Sequence, residues 1–516
     1  MICRYLLIFL ILPFTVFAQD TVRIEGSQLY YLGQIQDNKK EGYWKLLQED
    51  GTLVEEGNYI NDLKSGTWKG YFSNGQLEIE SEHKDGKLEG VFKRYYRNGK
   101  VETQMEYKEG YPQGEQVSYH PSGKKRSEGS FSEGKREGVW KYFYNDGQVE
   151  SYYGYSSGIL NGLYAFYSPL GTAVESGFYE DGKKHKKWKY YFKLGGLKEE
   201  GHYNLGKKDS TWTSYYEEGP RQSLYRYKND TLHGLQLTQY LSGEPESEQY
   251  YDMGSPVGEW KTYYPNGQIG SMVSHVKGTR DGTYIEYFES GKTSVEGSYT
   301  KGKKTGKWIF YYEKGAPFST GEFVNDLENG EWKNFNREGV LIEKGEYNSG
   351  IKAGQWFSFH ENGMLKSIGA YREGLEDGLW GKFHDNGRLK QDESWNLGKL
   401  WNISEFNSTN GQLLAKGSLK DGTGSVLSYY DNNILASEGM YKEGLPNGTW
   451  KYYDEKGSLT IEGKLVNGQE EGFWKFYYRN GKIKAQGNYI SGQKTGSWNY
   501  FFKDGSIADI IDYSDL

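Results

Sequence analysis

Apolar and aromatic positions return along this chain every 24 residues, in the order G-x-W-K-Y-Y-x-x-N-G-x-h-x-x-x-G-x-Y-x-x-G, with h apolar. The first glycine falls at Gly42, Gly66, Gly90, Gly114, Gly138 and Gly162, then from Gly234 to Gly378 in the same step. Lys186 and Ser210 stand at the two missing anchors without breaking the count. One blurred unit follows near Asn402, and the register resumes two residues early at Gly424, Gly448, Gly472 and Gly496. This makes 20 units from residue 42 onward, with 13 of the 15 Trp at one phase. A period of this length describes an array in which each unit buries its apolar face on its neighbours.

Within a unit the pattern predicts two strands. In residues 138–161, Trp140-Lys141-Tyr142-Phe143-Tyr144 is aromatic-rich and favours a strand. Asn145-Asp146-Gly147 then signals a hairpin, expected as a type I′ turn because Asp-Gly suits positive φ. Gln148 to Tyr155 reads as the second strand, and Gly158 lies in the link to the next unit. The second strand carries a Gly-x-aromatic pair in many units, as in Gly57-Asn58-Tyr59 and Gly297-Ser298-Tyr299. A glycine inside a strand weakens the sheet unless another group approaches it closely. The Trp of G-x-W is placed across the pleat from it. No segment has a helical apolar period, so the expected fold is all-β: an elongated, twisted, single-layer antiparallel sheet of about 20 tandem 24-residue β-hairpin repeats.

Composition narrows the function classes. Glycine is abundant, at 71 residues, but it is phased with the 17% aromatics, which argues against disorder. The net charge of −7 lacks the basic excess that nucleic-acid binding needs. Arg4 precedes an apolar run, Leu6 to Phe17, and Val16-Phe17-Ala18 gives small residues at −3 and −1 before Gln19. This predicts a secretory signal peptide cleaved after Ala18, and hence an exported protein: periplasmic, at the cell surface or secreted. Cys3, the one cysteine, lies before the apolar core, so the mature chain has no thiol or disulfide chemistry. No second apolar stretch reaches membrane-spanning length, so an integral membrane protein is not expected. The chain divides into a signal peptide (1–18), an N-terminal cap or half repeat (19–41), regular repeats (42–399), an irregular repeat (400–423) and further repeats with a C-terminal cap (424–516). Asp509, Asp512 and Asp515 in that last cap would discourage end-to-end strand pairing.

Candidate chemistry is sparse. Gly154-Tyr155-Ser156-Ser157-Gly158 matches a nucleophile elbow as a string, but no helix follows it. Gly297 to Lys304 approaches a phosphate loop, yet lacks the Ser or Thr after Gly-Lys, and its glycine spacing recurs throughout the repeat. His360 and His384 share a phase just before the hairpin turn and read as solvent-exposed turn residues. Lys follows Trp at Trp44-Lys45, Trp68-Lys69, Trp140-Lys141 and Trp474-Lys475, and acids gather at Glu56, Glu128, Glu200, Glu296 and Glu462. Stacked hairpins turn these into basic and acidic stripes, which either pair across strands or meet a charged partner. Tyr142 and Phe143, or Phe476 and Tyr477, point to opposite faces of a flat strand, so packing or a row of exposed aromatics follows. The reading is therefore a protein that is not an enzyme, with no catalytic, cofactor-binding or metal residues and no cofactor.

The G-x-W-K-Y-Y…N-G…G-x-Y…G-K-x-x-G pattern resembles the bacterial variant of MORN repeats, grouped with a YwqK-type antitoxin-like family. The resemblance covers essentially the whole mature chain and implies single-layered antiparallel sheets of successive hairpins. It implies a scaffold or adaptor role with an unidentified protein partner, and an antitoxin-like partner-binding role as a further alternative. A fainter similarity to choline-binding cell-wall repeats supports direct adhesion to an envelope glycan or lipid. The expectation is an exported, non-catalytic repeat scaffold that binds another macromolecule across a long sheet face.

Overall fold

The computed structural model describes residues 19–514. The expected signal peptide and Asp515 lie outside these. The chain forms two compact units, one running to Pro245 with Tyr251–Ser255 added, the other comprising Glu246–Tyr250 and the chain from Pro256 onward. The described residues hold strands and turns and no helix. In the first unit, strands from Asp20–Arg23 to Gly234–Gln239 each pair antiparallel with their neighbours in sequence. In the second, strands from Ile269–Val276 to Lys399–Ile403 do the same, and a separate sheet runs from Gly424–Tyr429 to Ile507–Asp512.

Both connections in a repeat are hairpin turns, and their types reverse the expectation. At Asn145-Asp146-Gly147 only Gly147 has positive φ, +92°; its N–H donates to the Tyr144 carbonyl at 2.9 Å, and Tyr144 N–H donates to Gln148 at 2.9 Å. This is a type I turn closed by a glycine bulge, not type I′. The two-residue type I′ turn lies at the link instead: Ser157 and Gly158 have φ of 50° and 83° between paired Ser156 and Ile159. Link turns carry Asp-Gly at Asp85-Gly86 and Asp181-Gly182 but at others Asn-Asp, Lys-Gly or Ser-Gly, so the signature is not uniform there. The Gly158 N–H then reaches back to the Arg136 carbonyl at 2.8 Å, and the same bond recurs at the link turns, tying this edge of each sheet from unit to unit.

The anchor glycine makes room for the Trp. Opposite the second strand, Glu296 pairs with Ile309 and Ser298 with Thr305, so the first strand spends extra residues in a bulge. Gly306 sits in that bulge at φ 65°, and Lys186 and Ser210, which replace the glycine, are each held at φ 59°. The bulge swings Trp308 back so that its ring lies on Gly297 of the preceding unit. Twelve such pairs recur among the described residues: Gly33, Gly57, Gly129, Gly177, Gly201, Gly297, Gly321, Gly345, Gly369, Gly439, Gly463 and Gly487 lie beneath Trp44, Trp68, Trp140, Trp188, Trp212, Trp308, Trp332, Trp356, Trp380, Trp450, Trp474 and Trp498. Where that phase instead holds Ser81, Met105, Tyr153, Tyr225 or Val273, the next unit carries Phe92, Gln116, Tyr164, Gln236 or Tyr284. A Cβ at the lower position leaves no space for an indole above it. Trp260 follows Gln249 and is only half-buried.

These rings form the core of each unit. The aromatic of Gly-x-Tyr meets the Trp edge to face, as Tyr203 meets Trp212 at 4.9 Å. Tyr190 stacks between Trp188 and Trp212 at 6.3 Å from each. Such contacts add about 0.5–1.5 kcal/mol each beyond area burial. A cation from the start of the first strand then covers the indole: Lys64 over Trp68 at 3.9 Å, Lys208 over Trp212 at 3.8 Å. One repeat on, polar tips bind the next backbone, as Tyr144 Oη does the Tyr167 carbonyl at 2.7 Å.

Candidate functional site

The face bearing the Trp rings is filled along most of its length, so a place where the filling is withdrawn is informative. In the first unit this happens at Gln116 and Ser118. Gln116 replaces the Trp, and Ser118 replaces the ring that elsewhere stacks between two Trp, as Tyr190 does. Gln236 also stands in a Trp position, but its amide is satisfied by Arg226 N–H at 2.9 Å and the Arg226 carbonyl at 3.1 Å. Gln116 makes no such bond among the described residues. The result is a hollow of about 500 Å³ lined by Gln116, Ser118, His120, Arg126, Ser127, Arg136, Trp140, Tyr142, Phe143 and Glu150. A second hollow of about 400 Å³ adjoins it, sharing Tyr142 and Glu150 and adding Ser151, Tyr153, Tyr155 and Phe166.

Sheet register positions these groups. One row crosses the strands as Ser118, Ser127, Tyr142, Ser151 and Phe166, each opposite the next. A parallel row runs through Gln116, Gly129, Trp140, Tyr153 and Tyr164. Ser118 and Ser127 share a hydrogen bond of 2.6 Å, and Arg126 Nε donates to Ser118 Oγ at 3.4 Å. Arg136 lies over Trp140 at 4.5 Å and donates to Tyr155 Oη at 3.2 Å. Burial pushes the Tyr142 hydroxyl above the usual phenol range, against the opposing charge of Arg136.

In some units the cation over the Trp is neutralised by an acid on the same face, Lys64 by Glu55 at 2.8 Å, Lys208 by Glu199 at 3.1 Å and Lys352 by Glu343 at 2.9 Å, whereas Lys304 and Lys494 have Val295 and Ala485 at that position. Here that acid is replaced by Ser127, and neither Arg136 nor Arg126 forms an ion pair among the described residues. The site therefore joins aromatic rings, hydroxyls that both donate and accept, and two uncompensated guanidinium groups. It holds no nucleophile–base pair.

The residues singled out in the sequence have structural places. Ser156 ends a strand beside a link turn, and Gly297 lies under Trp308, so neither string forms a loop over a ligand. The stripes pair with each other on the opposite face: Lys141 with Glu128 at 3.7 Å, Lys475 with Glu462 at 3.6 Å. The same acids accept from tyrosines, Tyr311 to Glu296 and Tyr477 to Glu462 at 2.6 Å each. The two histidines are not solvent-exposed. They take the part of the pre-turn Tyr, with His360 Nε2 on the Phe383 carbonyl at 2.9 Å and His384 Nε2 on the Asn407 carbonyl at 2.6 Å. His384 is only 2% exposed, packed edge-on to Phe406 where the sheet breaks, with Nδ1 3.2 Å from Asp431, which also meets Lys390 at 3.0 Å. Leu400, Ile403 and Leu419 form a small aliphatic core there against Trp395, Val426 and Tyr441.

Sequence reasoning passed over Gln116, Ser118, Arg126 and Arg136. The signal available was Gln116 in a Trp position with Ser118 and Ser127 at the ring and acid positions, a combination that Gln236, Thr238 and Ser247 repeat.

Among solved structures, a Photorhabdus luminescens Tc holotoxin pore aligns at 11% identity over 93% of this chain and 30% of that one, with a TM-score of 0.13. A TcdB2-TccC3 crystal structure aligns at 10% identity over 96% of this chain and 30% of that one, also with a TM-score of 0.13. This chain spans under a third of either protein. No curated protein matches it significantly. No helix among the described residues is long and apolar enough to cross a membrane. The MORN repeat variant matches at residues 64–85, 88–109, 112–133, 136–156, 256–274, 280–301, 328–349, 352–373, 423–443, 446–467 and 470–491. These segments fall in step with the hairpins and lie in both units, and on that match the chain is a MORN-repeat protein.

Proposed function

We propose that this chain is an exported, non-catalytic scaffold that binds another macromolecule through the Trp-bearing face of its sheet. One observation carries the reading: at Gln116 and Ser118 the rings that elsewhere fill this face are withdrawn, leaving about 500 Å³ of open space walled by Arg126, Arg136, Trp140 and Tyr142. Concave sites with aromatic walls and a few placed polar groups are where ligands bind. Export rests on the apolar run Leu6 to Phe17 and the small residues Val16 and Ala18. A protein partner, an antitoxin-like role included, would use the wider face around the cleft. A second reading, direct adhesion to an envelope glycan, is favoured by the aromatic and hydroxyl lining, because ring faces stack on sugars and Ser, Gln and Tyr match their hydroxyls.

The test is to immobilise residues 19–516 and expose them to envelope extract, purified envelope glycan and lipid vesicles in separate arms. Retention from the extract or the glycan arm, lost when the cleft is filled, is expected. Equal retention by wild-type and filled protein would remove the cleft from the function.

A further inference from the structure

We infer that the cleft between Gln116 and Phe166 binds an anionic sugar, with the ring carried on Tyr142 and the acid group held by Arg126 and Arg136. This rests on the binding-face reading above and names the chemistry of its ligand.

The argument begins with what the repeat normally puts there. A filled unit such as that of Trp212 offers an indole, a stacked ring, a cation and a neutralising acid on this face. Three replacements in neighbouring strands change that together. Gln116 removes the indole, Ser118 removes the stacked ring, and Ser127 removes the acid. Met105 makes the first change consistent: it occupies the strand position that holds glycine beneath the Trp in twelve other places. The volume is therefore built into the register and does not come from one misplaced side chain.

The chemistry of the walls selects the ligand. Arg126 has one hydrogen bond, from Nε to Ser118, which leaves its terminal nitrogens for an anion. Arg136 spends one nitrogen on Tyr155 and keeps the rest. Guanidinium forks match carboxylate, sulfate and phosphate oxygens in pairs. Glu150 lines both hollows as the single acid against the two arginines, so the cleft keeps a net positive charge and has one acceptor for a sugar hydroxyl. Ser151 is buried between Tyr142 and Phe166, and Tyr153 stands 5.7 Å from Tyr142, which extends the aromatic floor beyond the arginines. A ligand with one charged end and a hydroxylated ring at the other fits this polarity. A peptide added as an extra strand would need a free strand edge, and both neighbouring strands here are already paired.

The probe is a three-ring oligogalacturonide, with its methyl ester as a neutral arm, a sulfated trisaccharide as a second anion, and inositol phosphate vesicles as a lipid arm. Tyrosine and tryptophan fluorescence and calorimetry read binding to residues 19–516. Wild type should bind the oligogalacturonide or its sulfated counterpart, more weakly as salt rises, and should not bind the ester. Arg126→Ala should weaken binding roughly tenfold or more, as expected for losing a charged hydrogen bond. The double variant Met105→Gly with Gln116→Trp restores the standard glycine–indole pair and fills the cleft; it should keep its β-sheet spectrum and lose binding. Three results would overturn the inference: no binding of either anionic sugar, equal binding of the neutral ester, or binding untouched by Arg126→Ala and by the filled variant. Tighter binding of the vesicles than of any sugar would also overturn it. If wild type fails on every sugar yet retains an envelope macromolecule that the filled variant releases, the scaffold reading stands and the sugar inference falls.

Discussion

Gly57→Ala tests the physical rule that organises the array. A Cβ on Gly57 would lie 2.5 Å from Cε2 and 2.6 Å from Cγ of Trp68, and closer still to Cδ2. Carbon atoms in contact sit about 3.5–4.0 Å apart, so the indole must retreat by roughly 1 Å. Trp68 has nowhere easy to go. It is 3% exposed, with Tyr59 edge-on at 4.9 Å, Lys64 over its ring at 3.9 Å and its Nε1 donating to the Asn58 carbonyl at 3.0 Å. Overpacking of this kind costs about 1–3 kcal/mol, and the lost hydrogen bond about 0.5–1.5 kcal/mol more. The expected cost is therefore about 2–4 kcal/mol, set against about 3–5 kcal/mol for Trp68→Ala. The decisive measurement is the double variant. With Trp68→Ala in place, Gly57→Ala should add less than about 0.5 kcal/mol, because the ring it collides with is gone. Segment-resolved hydrogen exchange over residues 53–71 reads the local opening energy, which suits an array whose units need not unfold together. Additive single costs, or a Gly57→Ala cost below about 0.5 kcal/mol, would refute the idea that the ring rests on the bare backbone.

Trp308→Ala should cost about 3–5 kcal/mol within residues 282–354 and fade within a unit or two, while Lys303→Ala stays within roughly 0.5 kcal/mol of wild type; equal loosening of residues 42–160 in hydrogen exchange would contradict the linear array. Ser210→Gly should stabilise its unit by roughly 1 kcal/mol, since Ser210 is held at φ 59° in a place other units give to glycine; an unchanged denaturation midpoint would contradict that. Burial, and then their bonds to Glu296, Glu438 and Glu462, push the Tyr311, Tyr453 and Tyr477 hydroxyls up to about 12. A raised folded-state value stabilises the protonated fold, so this contribution is complete below about pH 10 and is lost as pH climbs toward 12. A tyrosinate absorbance titration should show late-ionising groups that Tyr311→Phe reduces by one; uniform ionisation near pH 10 would refute it. Intact-mass measurement of the exported protein should place the N-terminus at Gln19, and retention of residues 1–18 on a cytoplasmic protein would end the export proposal.

The period, the strand pairs and the glycine–tryptophan partnership were determined by the sequence alone. A 24-residue spacing of Gly, Trp and Tyr leaves one way for every unit to bury its ring, which is against its neighbour. What only the tertiary structure decided lies in contacts that cross units. The type I′ turn belongs to the Ser157-Gly158 link because a two-residue loop closes Ser156 on Ile159, whereas Asp146-Gly147 spans a wider turn with a bulge. The burial of His384 depends on Asn407 and Asp431, far along the chain, across a break in the sheet that the period does not foresee. The cleft is the same kind of fact. Gln116, Ser118 and Ser127 each look like a small lapse in a long repeat. Only when the strands align do the three missing side chains fall in one place, and only then are Arg126 and Arg136 left facing open space with Glu150 as the single acid in the lining.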